Sequence, residues 1–247
     1  MSEFINTIDV LGDDAVIDSI IMRTITEFKD NRVEKVGEYA FYDCTALETV
    51  ELPNCKTIDR YAFQKCTSLR HFDLSKVTAV HAYSFSESGL EEADCPVCTS
   101  LSSNSFARCN NMTRASFPLL TTIAGNSMER CTALTDVYAP NVTNIQSNGL
   151  RGCTALERLD FPALTSIQGY ALAECSALTT LILRNTAGVV TLAANGLEHN
   201  TDKQFSGGTG FIYVPKALVD SYKAATNWSA YASQIRAIED YPNITGG

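Results

Sequence analysis

The sequence predicts an α/β solenoid of eight stacked coils, with a parallel sheet on the concave side, short helical turns opposite, and a cap at each end. Three observations lead there. Six of the nine cysteines, at 44, 66, 109, 131, 153 and 175, fall 22 residues apart or close to twice that, and a fixed period of this length marks stacked supersecondary units. Apolar residues recur at seven places within the period. At 247 residues and 45% hydrophobic, the chain is long enough to bury one continuous core.

Residues 1–24 read as an N-terminal helical cap. Asp13 and Asp14 precede Val16, Ile17, Ile20 and Ile21, an apolar stripe of helical spacing with its acids placed favourably against the helix dipole.

Residues 25–199 are the repeats. Position 1 of each is Ile25, Leu47, Leu69, Leu90, Met112, Leu134, Leu156 or Leu178. Positions 1 to 6, as in Leu47-Glu48-Thr49-Val50-Glu51-Leu52, alternate apolar and polar as a short strand does. Pro53, Pro96, Pro118, Pro140 and Pro162 follow at position 7, where the missing N–H ends the ladder. Position 9 runs from Val33 to Leu164, and positions 12, 16, 17 and 20, as in Ile58, Ala62, Phe63 and Cys66, have the spacing of one or two helical turns. One such coil cannot bury its apolar side alone, so the copies must stack. Ser88 stands at the cysteine position with one residue deleted before Leu90, and about three residues are inserted between Asn185 and Val190.

Residues 200–247 form a closing strand-helix cap. Phe211-Ile212-Tyr213-Val214 reads as a strand, and Leu218, Val219, Tyr222 and Ala225 as a helix. Trp228, Tyr231, Ile235 and Ile238 make a second apolar stripe behind Asn227 as its N-cap.

The period accounts for every cysteine. Cys95-Pro96-Val97-Cys98 has the spacing of a redox or metal pair, yet Cys95 replaces the Leu or Phe of position 6 and Cys98 the Val or Leu of position 9. Cysteine is among the most buried residue types. Equivalent thiols in neighbouring coils sit about 4.8 Å apart, which suits a thiol ladder rather than disulfides. Nine free thiols are expected.

The pattern Ile-x-x-x-Ala-Phe-x-x-Cys-x-x-Leu-x-x-Val-x-Leu-Pro, present over Ile58 to Leu74 with Phe72 at the valine place and without the proline, resembles the leucine-rich repeat of BspA-like surface proteins. The resemblance spans roughly residues 25–197, and IYVPKALVDSYKAATNWSAYASQIRAI is similar to the closing cap of that family. It implies a leucine-rich repeat solenoid with a role in adhesion and host interaction. Relatives that share the start DDAVIDSIIMRTITEF look like products of gut bacteria and their phages, which implies a virion- or tail-associated attachment protein.

Charge narrows the partners. The net charge of −9 lacks the basic stripe that nucleic acid requires, and −7 of it lies in residues 1–50. No apolar run reaches the ~18 residues needed to cross a bilayer. The N-terminus carries no secretory signal pattern, so synthesis in the cytoplasm is expected, with a cell-surface location only through another export route. His71, His81 and His199 belong to no catalytic motif. His71 and Asp73 share a strand face without a nucleophile beside them. No enzyme activity, cofactor or metal is expected.

What remains is the outer face of the sheet, at positions 3 and 5 of each coil. Its candidate binding residues are Glu51, His71, Asp73, Glu92, Asp94, Arg114, Asp136, Tyr138, Arg158 and Asp160. The core obeys one rule in every coil while these vary in charge and size, as suits a surface that recognises a protein or a glycan. The expectation is that charge reversal at Asp73, Asp94 and Asp160 weakens binding without lowering the melting temperature. The competing reading is a structural scaffold that makes its contacts through its ends. Oligomeric state is left open.

Overall fold

In a computed structural model, residues 24–198 and 209–245 are described. The expected N-terminal cap and His199 lie outside them, as does the 199/200 boundary of the closing cap. The chain winds into a solenoid of parallel strands. One ladder, broken after Thr49–Glu51 and after Asp136–Tyr138 into three hydrogen-bonded sheets, contains Glu27–Lys29, Thr49–Glu51, Glu92–Asp94, Arg114–Ser116, Asp136–Tyr138, Arg158–Asp160, Thr180–Ile182, Phe211–Val214 and Ile235–Ala237. A second, on the next side of each coil and broken once after Ser100–Leu101, runs Lys35–Val36, Thr57–Ile58, Ala79–Val80, Ser100–Leu101, Thr122–Ile123, Asn144–Ile145, Ser166–Ile167 and Thr191–Leu192. Every pairing within both ladders is parallel.

The solenoid has about nine turns rather than eight. Phe211–Val214, expected as part of a cap, pairs with Thr180–Ile182 in the register Thr180↔Phe211 and so continues the sheet. Ile235–Ala237 then adds a further rung beside it. The irregular coils follow the sequence. Ala79↔Ser100 steps by one residue fewer than Thr57↔Ala79, and Ser166↔Thr191 by three more than Asn144↔Ser166.

The apolar positions form one core along the whole stack. From Ile25 to Leu183 the apolar residues at positions 1, 4, 6, 9, 12, 17 and 20 are buried except Ile25 and Phe72, which are half-buried. All nine cysteines are free and buried. The thiols of Cys66, Cys109, Cys131, Cys153 and Cys175 donate to the carbonyls of Phe41, Phe85, Phe106, Met128 and Leu150, at 3.0 to 3.3 Å. Each spans one coil boundary.

The side opposite the sheet differs from expectation. No helix occurs between Glu27 and Glu198. The segments with helical spacing are instead successive turns, each closed by a residue with positive φ: Tyr39 and Asp43 in one coil, Tyr61 and Lys65 in the next, Asn126 and Arg130 further on. The backbone there bonds along the stack rather than within the segment. Phe41 N–H donates to Ala62 O at 2.8 Å, and Phe63 N–H to Ser84 O at 2.7 Å. The spacing 12, 16, 17, 20 thus marks which residues point inward, and two turns satisfy it as well as a helix would.

A helix on the outer side, about 10 Å across, would splay the coils apart there. Here both sides are hydrogen-bonded between coils, and the buried rings Phe41, Phe63, Phe85 and Phe106 stack at 4.9, 5.2 and 5.4 Å, near the ~4.8 Å strand separation.

The closing segment differs in detail. Asn227 does not cap a helix; it has φ 66°, and its Nδ2 donates to Leu192 O at 2.7 Å. The stripe behind it is a 3-10 helix, Ser229–Gln234, followed by the strand Ile235–Ala237. Buried Trp228 donates its ring N–H to Val190 O at 2.6 Å, and Val190 N–H donates to the Tyr222 hydroxyl at 2.9 Å. The aromatic stripe therefore serves cap packing, tied to the coil that carries the insertion.

Candidate binding face

Alternation in each strand of the first ladder sends one residue inward and its two neighbours outward. The parallel register aligns those neighbours into two files. Glu92, Arg114 and Asp136 lie in one, and Asp94, Ser116 and Tyr138 in the other. Glu51, His71, Asp73, Glu92, Asp94, Arg114, Asp136 and Tyr138 are all exposed, whereas Arg158 and Asp160 are half-buried. The ten candidates do share one face, but they differ along it.

In the first coils the face is acidic. Lys29 sits between Glu27 and Glu51, 2.8 Å from the latter, and the two carboxylates raise its pKa. His71 points to Glu91 at 3.8 Å, not to Asp73. The Asp73 carboxylate accepts the Ser75 N–H at 2.9 Å, and hydrogen bonds from Ser75 lower its pKa. The His71–Asp73 dyad is therefore not formed. Glu92 and Asp94 follow, exposed and, among the described residues, without an ion pair. The third rung meets the second through the isolated bridge Thr49↔His71, and Glu91 N–H donates to Arg70 O at 3.0 Å from the coil after it.

Further along, the charges alternate and pair. Arg114 lies 3.5 Å from Asp136 across adjacent rungs, the cross-strand arrangement that favours opposite charges. The Asp160 carboxylate accepts both Nε and an NH2 group of Arg184, at 2.8 and 2.7 Å, and a third bond from Arg158 at 3.2 Å. The bound carboxylate raises the Arg184 pKa. Arg158 also donates to Ile244 O at 2.6 Å. Asp160 is thus part of a partly buried network, so its reversal would disturb the fold, and it is unsuited as a probe of binding alone.

At the far end the face is closed. Ile182 and Tyr213 occupy the outward file yet are 0% and 5% exposed. Tyr241 packs edge-on against Tyr213 at 5.4 Å, and Arg236 lies over the Phe211 ring at 4.5 Å. The C-terminal residues 238–245 lie against this end, a contact that the sequence signalled only through the apolar Ile182 in a polar file. Where this cover ends, Tyr138, Pro140, Arg158, Asp160, Pro162 and Arg184 line an open depression of about 340 Å³.

Chemically the face offers fixed carboxylates, guanidinium groups and one exposed aromatic ring. Among the described residues no three metal-ligating side chains converge, and no helix is long and apolar enough to cross a membrane.

The model of the BspA type leucine rich repeat region matches residues 3–113 and 99–195, in six copies. No curated protein is significantly similar in sequence. Among solved structures, a leucine-rich repeat protein from Bacteroides ovatus is 17% identical, covering 87% of this chain and 84% of its own, with a TM-score of 0.58. A leucine rich cell surface protein from Faecalibacterium prausnitzii is 18% identical over 66% of this chain and 60% of its own, TM-score 0.45. A leucine rich repeat protein from T. pallidum is 22% identical over 62% and 64%, TM-score 0.47.

Proposed function

Because the chain belongs to the BspA-type leucine-rich repeat family, whose repeats generally build non-enzymatic binding scaffolds, we propose that it is a recognition module that meets a protein or glycan surface with its open sheet face. One observation carries this reading. Among the described residues Glu92 and Asp94 make no ion pair, and they stand exposed on one strand fixed by parallel pairing on one side, on a face whose other charges are largely answered. Aligned carboxylates on a rigid face create a negative potential that steers and selects a partner. In the finer reading the module is an attachment protein carried at a cell surface or on a phage tail, and antibody labelling of cells against particles tests that placement.

Flow cytometry of the fluorescently labelled full chain on intact bacterial and epithelial cells tests the face. The Glu92→Lys/Asp94→Lys variant should lose about tenfold in binding or more, with its melting temperature within ~2 °C of the unaltered protein, since exposed substitutions outside networks change stability little. Undiminished binding of that variant would overturn the proposal and favour a scaffold that acts through its ends.

A further inference from the structure

The depression at the sixth and seventh rungs differs from the rest of the sheet face. Arg158, one of its lining residues, also donates to the carbonyl of Ile244, which ties the depression to the C-terminal residues. Its polar groups are held in place. Asp160 takes three hydrogen bonds from two guanidinium groups, which leaves little rotamer freedom to be lost when a ligand binds. Tyr138, 53% exposed, contributes the one large aromatic ring in the open part of the outward files. Pro140 and Pro162 add apolar surface.

The charge of this lining decides the ligand class. Asp136 and Asp160 are balanced by Arg158 and Arg184, so the depression is close to neutral, and a ligand ion gains nothing from the local field. The acidic stretch of the face that leads to it, with Asp73, Glu92 and Asp94, opposes anions. What fits is an uncharged ring with an apolar C–H face to lie on Tyr138 and hydroxyls to meet fixed carboxylate and guanidinium groups, which act as acceptor and donor side by side. At about 340 Å³ the space lies at the lower end of small-ligand sites.

We propose that this depression is a carbohydrate subsite that takes a neutral pyranose ring stacked on Tyr138, and that the surface met by the sheet face is therefore a glycan. The proposal rests on the reading of the sheet face as the recognition surface.

Saturation-transfer NMR on the full chain tests it, with the methyl glycosides of glucose, galactose and N-acetylglucosamine as neutral probes and methyl sialoside as the anionic one. At least one neutral glycoside should receive saturation at its ring C–H protons, with millimolar affinity. Tyr138→Phe, which keeps the ring, should retain the signal, and Tyr138→Ala should lose it about tenfold. Tyr138 is exposed, so an unchanged melting temperature shows that both variants are folded. No transfer to any neutral glycoside, equal transfer in Tyr138→Ala, or a preference for the sialoside would overturn the subsite. Cell binding separates this from the broader reading. Loss with Glu92→Lys/Asp94→Lys but not with Tyr138→Ala rejects the subsite and leaves a protein partner for the face, whereas no loss with either rejects the face itself.

Discussion

Tyr39, Tyr61 and Tyr83 occupy the left-handed backbone region, with φ of 59°, 59° and 61°, where a bulky side chain is unusual and costs about 1–2 kcal/mol. Asn104, Asn126 and Asn148 hold the same place in later coils, where asparagine is well tolerated. The tyrosines are compensated by one another. Their rings stack at 4.7 and 5.1 Å with interplanar angles of 8° and 12°, and such pairs contribute about 0.5–1.5 kcal/mol each. Tyr61→Ala removes two stacks and keeps the backbone cost, so it should destabilise by ~1–3 kcal/mol in urea unfolding, while Tyr61→Asn should recover part of that loss. The cysteines show the same logic of a repeated position. Burial pushes Cys55 up to about 11, and Cys109 and Cys175 up to about 12, from an ordinary 9.0. A native state that holds thiol protons more tightly than the unfolded chain keeps this contribution in full below pH ~9 and loses it as the pH rises towards 12. The melting temperature should therefore fall over that range, and a thiol reagent at pH 8 should label the folded protein slowly but all nine sites after denaturation.

At the scale of elements, the sequence period located both ladders but not the conformation between them. Apolar spacing reports which residues face inward. It does not distinguish a helical turn from two turns with left-handed corners, because either brings Ile58, Ala62, Phe63 and Cys66 to the same side. Three of the positive-φ places were visible as asparagines, Asn104, Asn126 and Asn148, but tyrosines hold the same place at 39, 61, 83 and 170, and charged residues hold the second corner of most coils. Likewise, the stripe from Trp228 to Ile238 has helical spacing, yet Ile235 pairs with Ile212, since an unpaired strand edge at the end of the stack offers hydrogen bonds that a helix would leave unused. The short coil at Ser88 was legible as a deletion, and the structure adds its cost. A Cβ on Gly89 would come within 2.3 Å of the Thr67 carbonyl oxygen, so Gly89→Ala should destabilise by several kcal/mol, ~2–4 from strain alone, in a urea titration.

For the whole molecule, inter-coil hydrogen bonds run along both the strand side and the turn side of the stack. The face was predicted as one concave surface, and the structure divides it. Its first part is acidic and open, its middle is paired and holds the Tyr138 depression, and its end is closed by residues 238–245. That closure needed contacts between residues 86 positions apart, as between Arg158 and Ile244, which no local pattern reports. Deleting residues 238–247 should bare Ile182 and Tyr213, increase binding of an apolar dye and lower the melting temperature. The central claim is that the partner meets the sheet side and not the turn side, and exposed tyrosines on both sides let one measurement decide it. Tyr138 on the sheet face is 53% exposed, and Tyr39 and Tyr170 on the turn side are 52% and 38% exposed. In hydroxyl-radical footprinting of the cell-bound protein against the free protein, Tyr138 should be protected from oxidation while Tyr39 and Tyr170 react as before. Protection of Tyr39 and Tyr170 with Tyr138 unchanged would contradict the account.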